Sequence, residues 1–98
     1  MYVAALTMDV LLGDVRSLKA KRAVVRPLVA ELRRRFPGVA VAETGSMPLH
    51  RRAEIGVAAV ASTAAHVTEV LGACERLVAA RPDIELLSAR FRLMSEEE

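Results

Sequence analysis

Apolar residues along this chain recur at two spacings, and the order in which the spacings alternate restricts the fold more than any single motif does. From Tyr2 to Leu12 the period is two, with Ala4, Leu6, Met8, Val10 and Leu12 on one side and Val3, Ala5, Thr7, Asp9 and Leu11 on the other. That is the pattern of a strand with one face on a core. From Ser17 to Arg35 the period lengthens: Leu18, Val25, Leu28, Leu32 and Phe36 fall on one stripe of a helix, widened by Val24 and Val29. Ser17 is placed to cap its first turn and Pro37-Gly38 to stop it. Pro27, well inside the helix, predicts either a kink or two shorter pieces. Val39 to Thr44 and Ala53 to Ala61 read as strands. Ser62 or Thr63 opens a second helix carrying Val67, Val70, Leu71, Cys74, Leu77 and Val78 inward, and Arg81-Pro82-Asp83 ends it. Ile84 to Met94 is a last strand, with Leu87, Ala89, Phe91 and Leu93 expected inward and Ser88, Arg90 and Arg92 outward.

The resulting order is βαββαβ. Its simplest compact solution is an α+β, ferredoxin-like arrangement, a four-stranded antiparallel sheet with both helices on one face and strands one and three central. Residues 1–94 are expected to form one domain and 95–98 an acidic tail. The sheet face away from the helices would show Val3, Ala5, Leu11, Ala58 and Val60, an apolar surface expected to be covered by a second copy or by another protein. Gly56, inside the third strand, marks a bulge or a close backbone approach.

Charge is distributed unevenly. Residues 16–35 hold eight Lys or Arg and one Glu, a net +7, so the rest of the chain carries −5 of the whole-chain +2. Arg33, Arg34 and Arg35 suit the negative end of the helix dipole. Lys19, Lys21 and Arg22 crowd the positive end, where each cation is disfavoured by roughly 0.3–1 kcal/mol. That cost points to a use beyond helix stability, and Lys19, Lys21, Arg22 and Arg26, extended by Arg51 and Arg52, are candidate nucleic-acid-binding residues. The competing readings are a basic face that is only solvated surface, and a structural ion-pair network with Glu43 and Glu54. Glu43 shares the parity of Val39 and Val41, so it would point inward and require a cation.

Three blocks in this order, Ser17-Leu18-Lys19-Ala20-Lys21-Arg22, Ala42-Glu43-Thr44-Gly45 and Arg52-Ala53-Glu54-Ile55-Gly56-Val57-Ala58, resemble the YlxP-like family of small bacterial proteins over residues 2–94. The resemblance implies a ferredoxin-like fold and genes near those of translation initiation and ribosome maturation factors, and it implies no established activity. Many members of that family carry a Trp where this chain has His50, so a stacking role does not transfer to that position.

Chemistry beyond binding has little to stand on. His50, His66, Glu43 and Glu54 are the available acid–base or metal-ligating set, without a His-x-x-x-His spacing or a glycine-rich phosphate cradle. No metal or cofactor is expected. The lone Cys74 shares an apolar stripe and suits a reducing cytoplasm. The N-terminus lacks a basic leader, and the longest uncharged run, Ile55 to Thr68, is too short and too rich in Ala, Ser and Thr to cross a membrane. Base stacking on the sheet would need aromatic residues on the outer faces of strands one and three, and the chain has three aromatics in all, with Tyr2 on the core parity. The sequence therefore predicts a non-enzymatic cytoplasmic accessory protein that touches RNA or a ribosomal subunit through a basic helix. The alternatives are a homodimeric interaction module using the open sheet face, and an enzyme using His50. A further expectation is that the acidic tail lies over the basic helix.

Overall fold

In the computed structural model, which describes residues 1–96, six elements follow in the order β1 (Tyr2–Leu11), α1 (Leu18–Arg35), β2 (Ala40–Gly45), β3 (Arg52–Ala61), α2 (Ala64–Ala79) and β4 (Glu85–Ser95). The strands form one antiparallel sheet in the order β2-β3-β1-β4. Both helices lie on one face, and the fold is ferredoxin-like.

Each element forms for a local reason. Along β1, Ala4, Leu6, Met8, Val10 and, just past its end, Leu12 are buried, so the two-residue period delivers one whole side of the strand to the core. Ser17 caps α1 by accepting from the Ala20 N–H at 3.0 Å, and Thr63 caps α2 by accepting from His66 N–H at 3.1 Å. Val25, Leu28 and Leu32 of α1 meet Val67, Leu71, Cys74 and Val78 of α2 in the same buried cluster, over Leu6, Met8, Ile55 and Val57 of the sheet. Truncating a leucine in such a cluster costs about 2–5 kcal/mol. Arg81, just past α2, donates to Glu31 of α1 at 2.9 Å and to Asp83 at 3.2 Å. Those bonds, Asp83 first, push its guanidinium pKa above the ordinary value.

Pro27 leaves α1 as one unbroken helix. The hydrogen bond it deletes would have ended on the carbonyl of Ala23, and both residues are exposed, so water can take the place of the missing N–H. Gly56 marks a close approach and not a bulge. It pairs in register with Thr7 and Ala42, and a Cβ there would lie 2.6 Å from Thr44 Cγ2.

The last strand departs from the expected pattern. A register shift opposite Asp9 and Val10 sets Leu86 against Val10 and Ala89 against Met8, which leaves Leu87 as the extra residue of a bulge, exposed and not inward. Phe91 and Leu93 do sit opposite Leu6 and Ala4, on the helix side. They are nevertheless exposed, Phe91 by 45%, because the core cluster is centred on β1 and β3 and β4 overhangs it. The two sheet edges therefore differ. β2 is six residues long and Arg33 Nη2 donates to its Val41 carbonyl at 2.7 Å. β4 is eleven residues long and forms the opposite edge. At its end Glu96 Oε1 accepts from the Met1 ammonium at 2.9 Å, so this residue of the tail closes on the β1 terminus and not on α1. Glu97 and Glu98 lie outside the described residues.

Candidate nucleic-acid interface

The basic helix divides into arcs with different fates. At 3.6 residues per turn, Lys21, Val25, Leu28 and Leu32 fall within an arc of about 60°, and that arc is the one the core receives. Lys21 is thus not on the polar face. It is 3% exposed, and its Nζ lies 2.8 Å from Glu43 Oε2, 2.7 Å from the Ser46 carbonyl and 3.4 Å from the Met47 carbonyl. The ammonium donates to the two carbonyls and pairs by charge with Glu43, whose Oε2 accepts no hydrogen bond. Lys21 therefore leaves the set of candidate phosphate ligands and becomes the tie that holds the β2–β3 loop to α1. Ser46, the residue it binds, sits at φ 58°, a left-handed conformation rare outside glycine. Its carbonyl also accepts from Leu49 N–H at 3.1 Å. Leu18, by contrast, is at the margin of the buried arc in the first turn and is 39% exposed.

Lys19, Arg22 and Arg26 share a second arc with Arg33. The first three are exposed, and none has a carboxylate or carbonyl partner among the described residues. Arg22 and Arg26, one turn apart, repel each other mildly, by roughly 0.2–0.5 kcal/mol. Arg34 reaches Glu31 only at 3.7 Å.

Arg51 and Arg52 lie at the same end of the molecule as the start of α1. Arg51 Nε donates to the Gly13 carbonyl at 2.6 Å, and the Arg51 carbonyl accepts from Leu12 N–H at 2.8 Å. Gly13 itself has φ +73°, which a side chain would strain. Arg51 therefore joins the β2–β3 loop to the β1–α1 loop while keeping its charge exposed, and Arg52 is exposed beside it. His50 and His66 are exposed, and no cluster of metal-ligating side chains occurs among the described residues.

Glu43 and Glu54 do not act as one ion-pair network with the helix, because they sit on opposite faces of the sheet. Glu43, opposite Ile55, turns toward α1. Glu54, opposite Asp9, lies on the open face, where Arg90 bridges it at 3.3 Å and Asp9 at 3.6 Å. Thr44 Oγ1 donates to Glu54 at 2.7 Å and Ser88 Oγ to Asp9 at 2.8 Å. The open face is accordingly polar at one end. Its other end, with Val3, Ala5, Ala58 and the well-exposed Val60, is apolar, and a shallow channel of about 400 Å³ runs between them past Ala40, Ala42 and Gly56.

A four-stranded antiparallel sheet in βαββαβ order carrying two helices on one face defines a ferredoxin-like α+β protein. Within that class the chain belongs to the DUF503 family, described as proteins of unknown function, whose model matches residues 3–91. That description does not carry the YlxP-like name. Two designed proteins share the fold. One is the de novo designed protein Foldit4, with a TM-score of 0.55, 8% identity and coverage of 98% of this chain and 99% of that one. The other is the de novo designed protein LFR1 1 with ferredoxin fold, with a TM-score of 0.50, 11% identity and coverage of 98% and 88%. Identities this low concern the fold alone. No curated protein matches the chain. No helix among the described residues is long and apolar enough to cross a membrane.

Proposed function

We propose that this protein is a non-enzymatic accessory protein that contacts RNA, as a transcript or on a ribosomal subunit, through the α1 flank formed by Lys19, Arg22 and Arg26, with Arg51 and Arg52 extending the contact. The observation that carries the reading is that three cations share one exposed helix arc with no partner among the described residues. Arg81 and Arg90, by contrast, are held by carboxylates. Each phosphate neutralised adds about 0.7–0.9 to the slope of log affinity against log salt. Changing Lys19, Arg22 and Arg26 together to Ala should lower that slope by about 2–3 in a titration of binding to structured RNA or 30S subunits. An unchanged affinity and slope would refute the reading.

A second reading, a homodimer through the open sheet face, is favoured by one observation, the apolar end of that face around Val60. Light scattering should then report a dimer at micromolar concentration that Val60→Glu dissociates, and a monomer before mutation would refute it.

A further inference from the structure

Between the first half of α1 and the β2–β3 loop lies a cleft of about 300 Å³ lined by Leu18, Lys21, Arg22, Val25, Arg26, Glu43 and Met47. Its volume is at the lower bound of small-molecule pockets, about 300–1,000 Å³, which suits one ring system and excludes an extended one. The lining is graded. Arg22 and Arg26 stand exposed at the rim. Leu18, Val25 and Met47, the last 55% exposed, form apolar walls. Lys21 and Glu43 form the floor. Lys21 offers a ligand little, because it is buried and held by two carbonyls and the Glu43 charge. Glu43 is different. Its Oε2 is buried 2.8 Å from the Lys21 ammonium yet accepts no hydrogen bond, its side chain keeps 25% of its surface open, and no hydrogen bond reaches its other oxygen among the described residues.

An occupant complementary to this lining needs a negative charge at its outer end, a flat apolar middle, and a hydrogen-bond donor at its inner end. A nucleotide with an exocyclic amino group carries all three on one unit. Unstacked bases are commonly held on aromatic rings or on Arg guanidinium planes, and in a chain with three aromatic residues the guanidiniums of Arg22 and Arg26 are the available planes. An acidic peptide satisfies the rim equally well, but it brings a carboxylate toward the Glu43 oxygen. We infer that the cleft holds one unstacked, amino-bearing nucleobase of an RNA strand, with the flanking phosphates on Arg22 and Arg26, Leu18 and Met47 against the ring, and the base amine donating to Glu43. Glu43 is then the residue that sets base preference. Cytosine offers its N4 amine to a carboxylate, whereas uracil turns a carbonyl oxygen to the same place and is rejected.

This inference rests on the RNA reading above, and its test separates the two. Binding of equal-length oligocytidylate and oligouridylate, which differ at the discriminating edge, is compared by fluorescence anisotropy beside a structured RNA. The expected result is about tenfold tighter binding of oligocytidylate, a preference lost in Glu43→Gln. Because that variant also touches the Lys21 tie, Leu18→Ser combined with Met47→Ser provides a second route. These side chains are exposed, and removing them should bring oligocytidylate affinity down to that of oligouridylate. Equal binding of the two oligonucleotides to the unaltered protein overturns the base site and leaves the RNA reading standing. Binding to no RNA at all overturns both. Arg22- and Arg26-dependent binding of an acidic apolar peptide, with no oligonucleotide binding, overturns the base site in favour of a protein partner.

Discussion

Replacing Lys21 by Met separates a structural lysine from a phosphate-binding one. Met keeps the length and apolar bulk of the lysine stem, so the change removes the ammonium while disturbing the packing against Val25 and Leu28 very little. What it takes away is the 2.8 Å partner of Glu43 and the donor to the Ser46 and Met47 carbonyls. Breaking a buried ion pair from one side costs about 3–5 kcal/mol because the other charge is left uncompensated. Glu43 keeps a quarter of its side chain open to water, so the lower end, about 3 kcal/mol, applies. For a domain of this size each kcal/mol moves Tm by about 4–8 °C; a fall of at least about 12 °C is therefore expected in thermal unfolding followed by circular dichroism. Replacing Glu43 by Leu in the same protein removes the stranded charge, and the double variant should recover most of the loss. Affinity of the Lys21→Met single variant for structured RNA, measured well below its Tm, should be unchanged. If Lys21→Met loses less than about 1 kcal/mol while RNA affinity falls, the lysine faces solvent and the account of the floor of the cleft is wrong.

Two more outcomes follow from single contacts. Gly56→Ala places a Cβ 2.6 Å from Thr44 Cγ2, and because Thr44 is fixed by its bond to Glu54 the strand should lose about 1–3 kcal/mol in urea unfolding, with Thr44→Ala in the same protein restoring most of it. Burial pushes the Cys74 thiol up from its ordinary value of 9.0, so the unfolded chain releases that proton more readily than the folded one. Stability should thus decline as pH rises through about 9, a decline absent in Cys74→Ala, and native Cys74 should resist iodoacetamide at a pH where the urea-unfolded chain reacts.

Most of the fold was legible because the change of hydrophobic period is a direct consequence of backbone geometry. β1 and α2 show this best, since their buried sets are the ones their spacing selects. β4 was less legible. Its bulge moves the parity at Leu87, and nothing in the order of residues tells how far the helices reach across the sheet, so the exposure of Phe91 and Leu93 emerges only in three dimensions. In the site, the run Lys19, Lys21, Arg22 looks like one basic patch when read linearly. Counting Lys21, Val25, Leu28 and Leu32 at helical spacing places Lys21 among the leucines, and the inward parity of Glu43 supplies its counter-ion. That signal was present in the sequence, but residue type outweighed position. Glu54 had no such signal, because its partner Arg90 is 36 residues away and meets it only through the pairing of β1 with both β3 and β4.

The guanidinium of Arg33 on the Val41 carbonyl has a consequence for growth of the sheet. A strand added along β2 must displace that guanidinium, so the β2 edge resists pairing at the Val41 carbonyl. A two-fold pairing of β4 with β4 would bury both copies of the other edge and close at a pair.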